Sequence, residues 1–363
     1  MSIQWADDFS RYGVGDAGRL NMLDGLPYAI IGDAGTSGSG PTTDPDATLP
    51  AGSRCFKVGK SSGGGWNSDN RTALPSPTTG VLGALARFWL SALPNSAVNR
   101  PTLFALGTVD GAIIVRIIVQ QTGAIIAVNS AGTTLTDGDT LSPVISPSSW
   151  NHFELKYNNA TGAGELYVNG VLRLNFTGGP VSQTAAIVYH SPRSDTTGTN
   201  ASLYMKDYII WDGTGSQNNN IFGTVVVVRY SPNADIALGG WVPSTGATGF
   251  NLLNKTEPND TTYLSANDVP PAAMRYGFPN LPSDVTSVRG VISVVRARKV
   301  DGGDAKLQVG LSPNGVAYDS GQDRPITSSF TYWFDVSELS PVSAAPWTPV
   351  DINNLEAKID RTI

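Results

Sequence analysis

Two histidines, one cysteine and five glutamates are all that this 363-residue chain holds of those three residue types, and their spacing narrows its chemistry. A retaining glycosidase needs two carboxyls about 5 Å apart, which alternate residues of one strand can supply because they share a face. The chain has no E-x-D-x-E run, and Asp335 to Glu338 is wrongly spaced for one strand face. Neither His152 nor His190 lies in a G-x-S-x-G or H-E-x-x-H motif. His152, beside Glu154 on the polar side of a strand, reads as a satisfied structural histidine. The chain is therefore expected not to be an enzyme. Asp44/Asp46 and Asp137-Gly138-Asp139 offer hard oxygens, yet calcium takes six to eight of them and paired aspartates ordinarily shape a turn. No cofactor is expected, with calcium as the alternative.

Binding chemistry is better represented. Gly63-Gly64-Gly65-Trp66-Asn67-Ser68 sets an aromatic face among hydrogen-bonding groups, as a sugar platform requires, and lacks the G-K-[ST] ending of a phosphate cradle. His190 closes an apolar run and opens the polar loop that contains Arg193. Trp66, Asn67, His190 and Arg193 are accordingly the candidate glycan ligands, since loops carry function on such scaffolds.

These residues must be held by strands. Forty glycines, twenty-four prolines and 15 % charged residues describe a turn-rich chain. Leu82, Ala84, Ala86, Phe88 and Leu90 alternate with Gly83, Leu85, Arg87 and Trp89, and Phe153, Leu155 and Tyr157 alternate with His152, Glu154 and Lys156. Asn169-Gly170 between apolar runs predicts a type I′ hairpin, which needs positive φ at both positions. Phe222–Tyr230, rich in valine, predicts a buried central strand. Near the end, Thr348 caps a short helix with Pro349 at its first position and Asp351 three residues beyond the cap. Trp347 and Ile352 are spaced as a hydrophobic staple, and Ile352, Leu355 and Ile359 form an apolar stripe, so these residues are expected to pack on their own domain or to dock on a sister subunit or another protein. The net charge of −6 argues against binding nucleic acid through phosphates. Cys55 has no partner for a disulfide and reads as inert. The N-terminus lacks a signal-peptide pattern, and Ala112 to Val128 is broken by polar residues, so membrane insertion is not expected.

Trp150–Tyr157, Gly164–Val171 and Lys206–Asp212 together resemble the concanavalin A-like, or laminin-G-like, jelly-roll family, in which the last strand returns beside the first. The stretch from about 221 to 355 resembles a C-terminal module of tailed-bacteriophage virion proteins. It carries Trp241-Val242-Pro243-Ser244, the segment Glu257-Pro258 to Tyr263, and Ala297-Arg298-Lys299 before Asp301-Gly302-Gly303, read as a hairpin. The expected architecture is all-β: two β-sandwich (jelly-roll) domains in tandem with a short C-terminal helix. The first spans 1–214, a linker 215–221, the second 222–340, and a tail with the helix 341–363. These resemblances imply a virion structural protein, made in the host cytoplasm without a leader, that contacts other virion proteins and binds host-surface polysaccharide as a homo-oligomer, a trimer being favoured. The alternatives are a polysaccharide-depolymerising enzyme, an architectural capsid or tail protein, and a non-viral adhesin.

Overall fold

The computed structural model describes residues 3–9, 11–12, 26, 28–30, 40–49, 53–58, 70–94, 100–135, 145–191, 202–246, 248–255, 259–266, 272–300, 302–316 and 322–362. It divides into two compact units, Met1–Leu23 with Pro27–Val228 and Asp24–Leu26 with Arg229–Ile363. Both are built of strands, so the all-β expectation holds.

The first unit contains β1 (Ile3–Asp7), β2 (Tyr28–Ile30), β3 (Gly40–Thr43), β4 (Arg54–Val58), β5 (Asn70–Thr78), β6 (Val81–Leu90) and β7 (Thr102–Gly107). It continues with β8 (Ile113–Val119), β9 (Ile125–Asn129), β10 (Trp150–Asn158), β11 (Ala163–Val168), β12 (Val171–Phe176), β13 (Ala185–Ser191) and β14 (Leu203–Asp212). One sheet runs β12-β11-β10-β6-β14-β4-β3, with β1 also paired to β14, and the other runs β2-β5-β13-β7-β8-β9. Ile3 opposite Trp211 places the last strand beside the first, as the jelly-roll resemblance implies. The alternation read from the sequence is the physical one: Phe88 of β6 meets Phe104 of β7 at 5.2 Å and Phe153 of β10 at 5.8 Å, closing the sandwich core. Asn169 (φ 50°) and Gly170 (φ 79°) make the β11–β12 turn. At Gly83 a Cβ would lie 1.9 Å from the Trp211 ring, so only glycine lets that indole lie flat on β6.

Beyond β14 the structure departs from expectation. Residues 222–228 form no strand. They belong to the first unit and cross it as an extended strap. β-branched residues favour an extended backbone, but here two carboxylates, rather than a neighbouring strand, accept the amides. Phe222 and Gly223 donate to Glu154 (2.7 and 3.1 Å), and Val227 donates to Asp207 (2.9 Å).

The second unit holds β15 (Ala234–Ala237), β16 (Val242–Pro243), α1 (Gly249–Leu253), β17 (Leu264–Ser265), β18 (Met274–Gly277), β19 (Val291–Ala297) and β20 (Lys306–Pro313). It ends with β21 (Arg324–Pro325), β22 (Thr331–Ser337), α2 (Pro349–Asn353) and β23 (Leu355–Thr362). A five-stranded sheet runs β15-β18-β23-β20-β21, and separate pairs join β16 with β17 and β19 with β22. Among the described residues, the strand before the expected hairpin, β19, is therefore not paired with the strand after it, β20. β19 pairs with β22, setting Val295 against Trp333 and Val294 against Phe334, the aromatic and β-branched pairs that stabilise antiparallel ladders.

The capping box at Thr348 and Asp351 is present, but α2 ends at Asn353 and Leu355–Thr362 is a strand. The apolar stripe is thus not helical. Trp347, Ile352 and Leu355 are buried with Leu311 and Ala357, and Ile359 with Trp241 and Tyr276, inside the unit's own core. Of the two expected roles, packing on the chain's own domain is the one observed, and docking on another subunit is corrected.

Candidate functional site

The outward face of the eight-stranded sheet collects side chains that are far apart in sequence. Trp150 opposes Trp89, Trp89 opposes Tyr204, and Tyr204 opposes Lys57, so one row crosses β10, β6, β14 and β4. Directly opposed residues share a face, and at about 4.8 Å per strand the row spans about 14 Å. All four side chains are partly exposed. The two indoles meet edge to face at 5.9 Å. Trp150 Nε1 donates to Asp44 Oδ1 (3.1 Å), and Lys206 Nζ lies 4.1 Å from the Trp150 ring centroid and 3.0 Å from Asp44 Oδ2. Asp44 also accepts the Asp46 amide (2.9 Å), so the carboxylate is anchored and in turn fixes the indole.

One register step along the strands lies a charged floor. His152 opposes Arg87, and Arg87 opposes Lys206. A bulge follows Lys206, and Asp207 takes a left-handed backbone (φ 52°) there. The bulge turns the Asp207 carboxylate outward, where Oδ2 lies 3.2 Å from Arg87 Nε. Burial raises the Asp207 carboxyl to about 6, against the pull of Arg87. Burial first, and Arg87 second, lower the His152 imidazole to about 4. It is therefore neutral at pH 7, and among the described residues neither ring nitrogen has a hydrogen-bond partner, contrary to the satisfied histidine expected. Glu154 is fully buried under the strap amides.

Such a surface can do two things chemically. The aromatic row offers flat apolar area to the C–H faces of sugar rings, with polar tips alongside. The floor sets a neutral imidazole beside a guanidinium and brings Glu154 and Asp207 to one face from different strands. Spacing within a strand could not reveal that pair; it follows from the β10-β6-β14 order and the bulge.

The residues singled out from sequence fare differently. Trp66, Asn67 and Arg193 lie outside the described residues, as do Asp137 and Asp139. Val58 and Leu203, which flank the segments holding the first three, pair with each other at the Lys57–Tyr204 end of the row. His190 is 1 % exposed. Its Nδ1 lies 2.6 Å from the Leu103 carbonyl, and its ring packs on Tyr208 (4.8 Å), Phe104 (5.6 Å) and Phe88 (5.9 Å). It is a core residue rather than a ligand contact, because β13 continues through it and turns it between the sheets. Cys55 is buried and its thiol is pushed up by desolvation. Among the described residues no group of three or more His, Cys, Asp or Glu side chains could hold a metal ion.

No protein-family model and no curated protein matches the sequence. Among solved structures, a cellulose induced protein, Cip1, aligns over 61 % of this chain and 100 % of its own, at 17 % identity and a TM-score of 0.42. An endo-β-1,4-glucuronan lyase from the fungus Trichoderma reesei aligns over 52 % of this chain and 93 % of its own (10 % identity, TM-score 0.39). A sialidase aligns over 58 % of this chain and 18 % of its own (12 % identity, TM-score 0.37). These are carbohydrate-related proteins, and none of the three bears a virion name. Two of them are named as enzymes, so the expectation that the chain is not an enzyme is not upheld, and these likenesses assign it no activity.

Proposed function

We propose that the first unit binds glycan on the outward face of its eight-stranded sheet, and that the chain serves a virion surface in attaching to host polysaccharide. The row Trp150–Trp89–Tyr204 carries the glycan reading: three aromatic side chains on adjacent strands, one of them locked by Asp44, make a platform for about three sugar rings at the ~4.8 Å strand spacing. The virion reading is supported by the resemblance of residues 221–355 to a phage virion module. A homotrimer would present several such faces together, so that weak single sites add up to firm attachment.

Affinity electrophoresis of the full chain through gels cast with a panel of bacterial polysaccharides tests the first part. Retardation by at least one polymer, lost in Trp150→Ala, is expected; equal migration of both proteins in every gel would remove the platform. Mass spectrometry and cryo-electron microscopy of purified particles test the second, which fails if the chain is absent from them.

A further inference from the structure

Around the aromatic row, hydrogen-bond donors reach solvent while the charged acceptors are turned inward. Among the described residues, each acidic group around the row has at least one donor. Asp44 takes the Trp150 indole and Lys206, and its side chain is 2 % exposed. Asp207 takes Arg87 and the Val227 amide and is 8 % exposed. Glu154 is closed by two strap amides. Asp46 is half-buried, and its Oδ1 accepts the Thr48 amide and hydroxyl at 3.0 and 2.7 Å.

The cations are arranged in the opposite way. Arg87 keeps a 25 % exposed side chain beyond its one contact with Asp207, and Lys206 keeps 13 %. Lys57, at the end of the row beside Tyr204, has no ion pair or side-chain hydrogen bond among the described residues. An ammonium is a donor only, as is a guanidinium. A neutral sugar, whose hydroxyls must donate as well as accept, finds few free acceptors here. A sugar with an anionic substituent finds an unpaired cation in line with the stacking faces.

Resting on the glycan reading above, we infer that this site selects acidic polysaccharide, with Lys57 as the specificity-determining residue that takes the anionic group of a sugar stacked on Tyr204 and Trp89. The chemistry is that of a carboxylate, sulfate or phosphate ester held by charge-assisted hydrogen bonds, which are about twice as strong as neutral ones. The chain as a whole is acidic, with a net charge of −6. General attraction to polyanions is therefore not the cause, and the selectivity is local.

The test measures binding of the full chain to a uronic-acid polymer, a sulfated polymer and a neutral glucan, by affinity electrophoresis at low and moderate salt. Lys57→Gln is compared with Lys306→Gln, a control in the second unit, and with Trp150→Ala. The expected result is binding to one or both acidic polymers at least tenfold tighter than to the glucan, weakened about tenfold by Lys57→Gln and by salt, and unaffected by Lys306→Gln. The uronate and sulfate arms identify which anion is read. Equal binding to the neutral glucan, or no effect of Lys57→Gln, overturns the acidic preference; if Trp150→Ala still abolishes that binding, the aromatic platform stands. Binding to none of the three polymers by the unmodified chain overturns the inference, while the broader panel proposed above decides the platform separately.

Discussion

The outward face of the eight-stranded sheet has two halves built from the same strands, and they differ in what became of their charges. In one half, Glu154 and Asp207 are roofed by the strap and satisfied by its amides, and Phe222 of the strap packs on Trp211 at 5.9 Å. In the other half, Trp89, Trp150 and Tyr204 stay partly exposed beside cations. The covered half shows that a buried carboxylate in this fold is tolerated because it acquires backbone donors, since an unpaired buried charge would be strongly unfavourable. The open half shows what is left when no chain segment fills the face: flat rings and unmatched donors, which suit an external ligand. Carboxylates near a groove are therefore poor evidence of catalysis until their donors are counted.

The sharpest way to break the covered half is to wedge it from below. Gly83→Ala sets a methyl against the Trp211 ring, and overpacking of this kind is expected to cost about 3 kcal/mol in urea denaturation. Glu154→Gln removes the charge but keeps the shape; it should cost about 2 kcal/mol and speed hydrogen exchange at Phe222 and Gly223, leaving the Trp89 and Trp150 indole resonances in place. Movement of those indoles instead would mean that the two halves are one cooperative unit.

Acid distinguishes the two histidines from Asp207. Both imidazoles are lowered to about 4 by burial, so between pH 6.5 and 4 the unfolded chain takes up protons that the folded one refuses. Each should lower stability by up to about 3 kcal/mol as the pH falls through that window. Asp207, raised to about 6 by burial against Arg87, works in reverse: between pH 6 and 4 the folded form holds a proton that the unfolded form has lost, and stability rises as the pH falls. Asp8 adds to the rise in Asp207 and Lys206 opposes it. Asp7, whose carboxyl burial also raises, works in the same direction as Asp207. Between pH 6.5 and 4 the melting temperature of His190→Gln should therefore fall less, or rise more, than that of the unmodified chain. An unchanged slope in this variant would show that His190 titrates freely.

The smallest effect belongs to the open half. Tyr204→Phe, which removes one hydroxyl from a half-buried side chain, should leave stability within about 0.5 kcal/mol and change polysaccharide binding by no more than a few-fold. Unfolding by this substitution would mean that the row is a structural feature of the sheet rather than a platform.

Much of the fold was legible because it depends on neighbours in sequence. Alternation over Val81–Leu90 and Trp150–Asn158 gave strands with the correct inner faces, Asn169-Gly170 gave the turn, and Thr348–Asp351 gave the cap. His190 was misplaced because a polar loop after an apolar strand looks like a ligand mouth, whereas its side chain is turned between the sheets. Leu355 and Ile359 were read as one helical stripe, although i, i+4 spacing also keeps residues on one face of a strand, and here the strand prevailed.

Local rules thus determined where the chain would be extended, where it would turn and which side chains would face inward, because a two-residue period and the φ demands of a turn act within a few residues. The tertiary structure alone decided that Trp150, Trp89, Tyr204 and Lys57 stand in one row, that a bulge turns Asp207 outward, and that a valine-rich run becomes a strap rather than a strand. Each of these depends on which strands lie side by side and in what register, and pairing across gaps of about sixty to more than a hundred residues leaves no periodic trace along the chain.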